Sequence, residues 1–89
     1  MKLESAIQTD IIKWLKCRPN SFTYKHPPYP AGIPDIHHLE NGNSYWFEVK
    51  RTSKDKARKL QKLRMKKLRK AGCVALVVRS LKKVQKVIL

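Results

Sequence analysis

The dipeptide Asn41-Gly42 lies between two runs that can each form a strand, Ile36 to Leu39 and Ser44 to Arg51. Asn-Gly supplies both positive-φ positions of a type I′ turn, whose twist matches that of two paired strands. A two-residue loop there sets Glu40 opposite Asn43 and, counting outward, Asp35 opposite Glu48. A turn one residue later, at Gly42-Asn43, would instead bring His37 opposite Glu48. Directly opposed residues hold their Cβ atoms about 4.5–5.5 Å apart. Two carboxylates at that distance repel unless positive charge comes between them, and a divalent cation is the obvious candidate. Alternation along the second strand sends Tyr45, Phe47 and Val49 to one face, and Trp46, Glu48 and Lys50 to the other.

The remaining elements are arranged around that hairpin. Apolar side chains at Ile7, Ile11, Trp14 and Leu15 recur at helical spacing over Leu3 to Leu15, and Arg18-Pro19-Asn20 closes the segment. Phe22 to Lys25 reads as a short strand, and the proline-rich stretch from His26 to Pro34 as a stiff, irregular loop. Thr52 or Ser53 is placed to cap a second helix running to about Lys70, where Ala71-Gly72 supplies a stop. Cys73 to Arg79 is a continuous apolar run that reads as a strand buried on both faces. Ser80 then starts a last short helix carrying Leu81, Val84 and Ile88. The order αβββαβα predicts an α/β fold, a mixed β-sheet flanked by helices, in a single domain over residues 1–89.

Charge is segregated along the chain. Residues 1–49 carry five basic and five acidic side chains, so the whole net charge of +15 belongs to residues 50–89, where sixteen basic groups face Asp55 alone. A field that strong and one-sided attracts polyanions, and nucleic acid is the leading partner. The longest apolar stretch, Cys73 to Val78, is too short to span a bilayer, and the N-terminus lacks the apolar core of a signal peptide. The expectation is a cytoplasmic protein without a membrane partner, in which Cys17 and Cys73 are plain thiols.

Three of the six acidic residues are brought to one place by independent periodicities. The hairpin register supplies Asp35 and Glu48. Helical spacing supplies Glu4, which with Gln8 falls in the middle of the arc marked by Ile7, Ile11, Trp14 and Leu15. Each has a plainer explanation: the helix dipole for Glu4, an exposed same-face pair for Glu48 and Lys50, turn chemistry for Asp35. Their convergence argues for a site.

Gly32-Ile33-Pro34-Asp35, then Phe47-Glu48-Val49-Lys50-Arg51, then Gln61 in the following helix, resembles the PD-(D/E)xK nuclease signature in its virus-type replication-repair form, the VRR-NUC domain. The resemblance runs from Glu4 to the strand ending near Arg79 and implies a restriction-endonuclease-like core. It further implies that Asp35, Glu48 and the Val49 carbonyl bind Mg²⁺ or Mn²⁺, with Glu4 completing the site directly or through water. Lys50 would orient the attacking water or neutralise charge on the phosphate, and Gln61 would support the lysine or the water. The implied reaction is in-line hydrolysis of a DNA phosphodiester. Similarity to stand-alone phage and bacterial members, and to archaeal Holliday-junction resolvases, implies a homodimer acting on branched DNA such as a four-way junction, which needs two active sites.

Basic residues are dense along the segment after the ExK motif, and Lys54, Lys56, Arg58, Lys59, Lys62 and Lys66 are suited to phosphate contacts. Ala57, Leu60, Leu63, Leu68 and Ala71 would dock that helix on the sheet, with Arg64 and Lys67 intruding on the arc. Of His37 and His38, one is expected to pack and one to meet solvent. Trp14 and Trp46 read as core or dimer contacts, and Tyr24 or Tyr29 as neighbours of the DNA backbone. The rival reading is a non-catalytic basic nucleic-acid-binding module, and an RNA-directed toxin nuclease is a third.

Overall fold

The computed structural model describes residues 3–52, 54 and 57–89. Its elements are α1 (Glu4–Leu15), β1 (Ser21–Lys25), β2 (Ile36–Glu40), β3 (Asn43–Val49), α2 (Lys59–Lys70), β4 (Val74–Val78) and α3 (Leu81–Ile88). They realise the expected αβββαβα order. The four strands form one sheet in the order β1-β2-β3-β4, antiparallel except for the parallel β3–β4 pair that α2 connects. Asn41 and Gly42 take positive φ values of 50° and 81°, and Glu40 pairs with Asn43, as a type I′ turn requires. The alternative turn at Gly42-Asn43 is thereby excluded.

One face of the sheet carries the core. Ile7, Ile11 and Leu15 of α1 pack on Ile36, Phe47, Val49 and Val78 of the strands and Val84 of α3, all buried. The Ser80 hydroxyl caps α3 by accepting the Lys83 N–H at 3.3 Å. The stop of α2 also follows expectation: Gly72 at φ 96° returns its N–H to the Arg69 carbonyl and Cys73 its N–H to Leu68, a Schellman motif.

Three expectations are corrected. α2 begins at Lys59, well after Thr52 and Ser53. The Thr52 hydroxyl accepts from the Lys54 N–H in a local turn, whereas Ser53 lies outside the described residues. The docking face of α2 is also rotated: Met65 is its buried residue, with Gln61, Arg64 and Leu68 half-buried, while Leu60 and Leu63 stand 40% and 49% exposed. A helix starting at Lys59 meets the sheet through residues spaced three and four apart around Met65, which leaves Leu60 and Leu63 on its flank. Finally, β4 is an edge strand that is covered on both faces only in part: Ala75 on one face and Val78 on the other are buried, while Val74 is exposed and Leu76 and Val77 are half-buried.

Candidate active site

The open end of the β2–β3 hairpin gathers the acidic residues. Asp35 directly precedes β2, and its Oδ2 accepts the Val49 N–H at 3.1 Å, which pins it beside the end of β3. Its own carbonyl accepts the His26 N–H at 2.6 Å, tying the proline loop to the same point. That loop also rests on α2. Gly32, at φ 85°, sits so close that a Cβ would lie 2.7 Å from Leu60 Cγ. A side chain there would force the loop and the helix apart and move Asp35 with them.

Glu48 is 3% exposed. Its Oε2 accepts from the Gln61 amide at 3.1 Å and pairs with Lys50 Nζ at 3.3 Å. Its Oε1 is buried and has no hydrogen-bond partner among the described residues. Burial, reinforced by the neighbouring Asp35 charge and to a smaller degree by Glu4, pushes the Glu48 carboxyl up to about 7, against the opposing pull of Lys50. A buried carboxylate oxygen left unpartnered next to a second carboxylate is a site that a hard cation would satisfy, and the donors are oxygens throughout.

Gln61 is held at both ends. Its Oε1 accepts the Arg58 N–H at 2.8 Å, serving the start of α2, while its amide nitrogen reaches Glu48. It therefore meets the acid, whereas the expected support was of the lysine or a water. Glu4 is exposed and lines a groove with Leu3, Ser5, Lys50 and Arg51. It borders the acidic pair without joining it: among the described residues no three His, Cys, Asp or Glu side chains group closely enough to hold an ion by themselves. Lys54, Arg58, Lys59, Lys62 and Lys66 are exposed, and Lys56 lies outside the described residues.

His37 and His38 both pack, contrary to the expectation that one of them meets solvent. His37 is half-buried, stacked on Trp46 with ring centroids 3.8 Å apart and bonded to Tyr24 and Ser44; burial holds its pKa below the usual histidine range. His38 is fully buried between Thr23, at 2.7 Å, and Glu40, at 2.9 Å. Glu40 in turn takes a two-point contact from Arg18, at 3.1 and 2.9 Å. No spacing rule in the sequence points to this four-residue network, because its members are drawn from β1, β2 and the turn after α1. Trp14 packs against the core with Arg18 over its ring, and Tyr29 is 83% exposed on the proline loop.

No protein-family model matches the sequence, and no curated protein does. Among solved structures the chain is similar to a VRR_NUC domain protein, at 24% sequence identity and a TM-score of 0.80, covering 99% of this chain and 87% of that one. It is also similar to a VRR_NUC domain at 26% identity and a TM-score of 0.79, covering 96% of this chain and 92% of that one.

Proposed function

From the premise that this chain has the VRR-NUC fold, we propose that it is a metal-dependent endonuclease that hydrolyses DNA phosphodiester bonds. The observation that carries the reading is the buried, unpartnered Oε1 of Glu48 beside Asp35. In a protein free to bury an apolar residue there, such an arrangement costs stability and returns none. Asp35, Glu48 and the Val49 carbonyl would hold Mg²⁺ or Mn²⁺, with Glu4 acting from the rim. A bound divalent ion supplies Lewis-acid stabilisation of the negative charge that builds on the phosphate during attack. Lys50 Nζ orients the attacking water or neutralises charge on the phosphate from the side of Glu48 Oε2. Gln61 keeps that oxygen occupied, which leaves Oε1 as the free donor. The exposed cations of α2 and the preceding segment hold the backbone without reading sequence.

Branched DNA, four-way junctions in particular, is the substrate class we assign, cut by a homodimer that presents two sites. The test is cleavage of labelled single-stranded, duplex, flap and four-way-junction DNA, with an RNA counterpart, in Mg²⁺, Mn²⁺ or EDTA. Metal-dependent cutting that disappears in Asp35→Ala and Lys50→Ala is the expected result. Binding without cutting, unchanged in both variants, would leave a basic nucleic-acid-binding module in place of an enzyme.

A further inference from the structure

Beside the groove of Glu4 and Lys50 lies a second cavity of about 440 Å³, and Arg51 lines both. The cavity has a cationic rim of Arg51, Arg79 and Lys82 and a single acid, Asp10. Ile7 and Leu81 give it an apolar wall. The three cations come from separate places, the end of the ExK segment, the end of β4 and the first turn of α3. They differ in what they already do. Arg79 donates Nε–H to the Thr52 carbonyl at 2.8 Å, tying the chain after β3 to the end of β4. The Ser80 hydroxyl is taken up by the Lys83 N–H. Arg51 and Lys82 are exposed and form no ion pair among the described residues.

We infer that this cavity is a subsite for a backbone phosphate of the nucleic acid, next along the strand from the phosphate at Lys50. The inference rests on the nuclease reading above and deepens it. Of these two spaces Lys50 borders the groove with Glu4 and Arg51 borders both, so a strand with one phosphate at Lys50 passes Arg51 to reach the second cavity. The size is that of a small-ligand pocket, with room for a sugar–phosphate unit. Its lining suits one as well: apolar side chains for the sugar and two uncommitted cations for the charge. The phosphate contacts expected from sequence all lay on the segment from Lys54 to Lys66, whereas Arg51 and Lys82 act with α1 and α3.

The test is a binding scan. Single backbone phosphates of duplex and four-way-junction DNA are replaced one at a time by uncharged methylphosphonates, and the Kd of the full chain is measured in EDTA. Besides the positions held by Lys50 and by α2, wild type is expected to lose roughly tenfold in affinity at one further position or two adjacent ones. The Arg51→Gln/Lys82→Gln variant should bind unmodified DNA more weakly by a similar factor and lose sensitivity at those positions alone. Both residues are exposed, and an unchanged thermal midpoint verifies the variant's fold. A variant that keeps the wild-type positional profile, or a wild type with no distinguished position, overturns the subsite. Because the scan reads binding, a protein that never cuts DNA would sink the nuclease reading while the scan still decides the subsite.

Discussion

Glu40 and Glu48 stand at opposite ends of the β2–β3 hairpin and on opposite faces of the sheet, 7% and 3% exposed, and their charges are handled in opposite ways. Glu40 is saturated: Arg18 grips both of its oxygens and His38 bonds one of them. The Arg18 guanidinium holds its carboxyl below the usual carboxylate range. Glu48 has one oxygen served and one orphaned, with Asp35 as a like-charged neighbour, and its carboxyl is pushed the other way. Burial alone therefore does not mark a functional acid. A buried acid whose partners are complete is a structural tie, and one whose partners are incomplete calls for a ligand.

The largest effect that would break this contrast is on catalysis. Replacing Asp35 or Glu48 by Ala should lower the cleavage rate by about three orders of magnitude or more while the protein stays folded, measured by single-turnover kinetics and thermal melting. Replacing Glu40 by Gln should do the reverse. Gln keeps one acceptor oxygen but not the charge, so Arg18 loses its counter-ion and half of its two-point contact, and stability should fall in urea unfolding. The folded fraction should then cut DNA at the wild-type rate. If Glu40→Gln abolished cutting in the folded protein, the division between tie and site would be wrong.

Gln61 is a finer probe, because it serves both roles at once. Gln61→Leu removes the amide from Glu48 Oε2 and the acceptor from the Arg58 N–H. A residue that orients a ligating carboxylate typically affects metal affinity or activity by about 10- to 100-fold. The expected signature is a higher metal concentration for half-maximal cutting, with the rate at saturating metal reduced less. An equal loss at all metal concentrations would mean that Gln61 acts elsewhere.

What could be read from sequence follows the range of the forces involved. The Asn41-Gly42 turn is a four-residue problem, and solving it sets Asp35 beside Val49 and Glu48. The stop at Ala71-Gly72 and the Ser80 cap are equally local. The start of α2 is not legible in the same way: Thr52 and Ser53 carry a good local cap signal, while the position of the helix is decided by Met65 and Gln61 meeting the sheet. Lys, Arg, Leu and Gln are comparable helix formers, so propensity alone does not place the boundary. Arg18 and Glu40 are 22 residues apart, and the burial of His38 depends on both, so that network could not be seen in one sequence. Helical phase gives Glu4 a direction but not a depth, and the residue is exposed at the rim.

The smallest effect concerns pH in the absence of metal. Glu48 has a folded pKa of about 7 against an ordinary 4.5, so between those values the folded state holds a proton that the unfolded chain has released. Stability from this group is therefore full below about pH 4.5, falls as pH rises through 7, and is level above. His37, whose pKa is lowered, contributes with the opposite sign, since the unfolded chain binds its proton more readily. Wild-type melting alone mixes the two. The difference between Glu48→Gln and wild type cancels His37 and should grow by about 1–2 kcal/mol in favour of the variant from pH 5 to pH 8, less than the full shift because the adjoining groove of Glu4 and Lys50 is open to solvent and screens the charge. Adding Mg²⁺ should shrink that difference at pH 8 by stabilising wild type only, since the cation takes the place of the proton. A difference that stays flat with pH, or that ignores Mg²⁺, would mean that Glu48 is as well satisfied as Glu40 and that its unpartnered oxygen is no invitation to a metal.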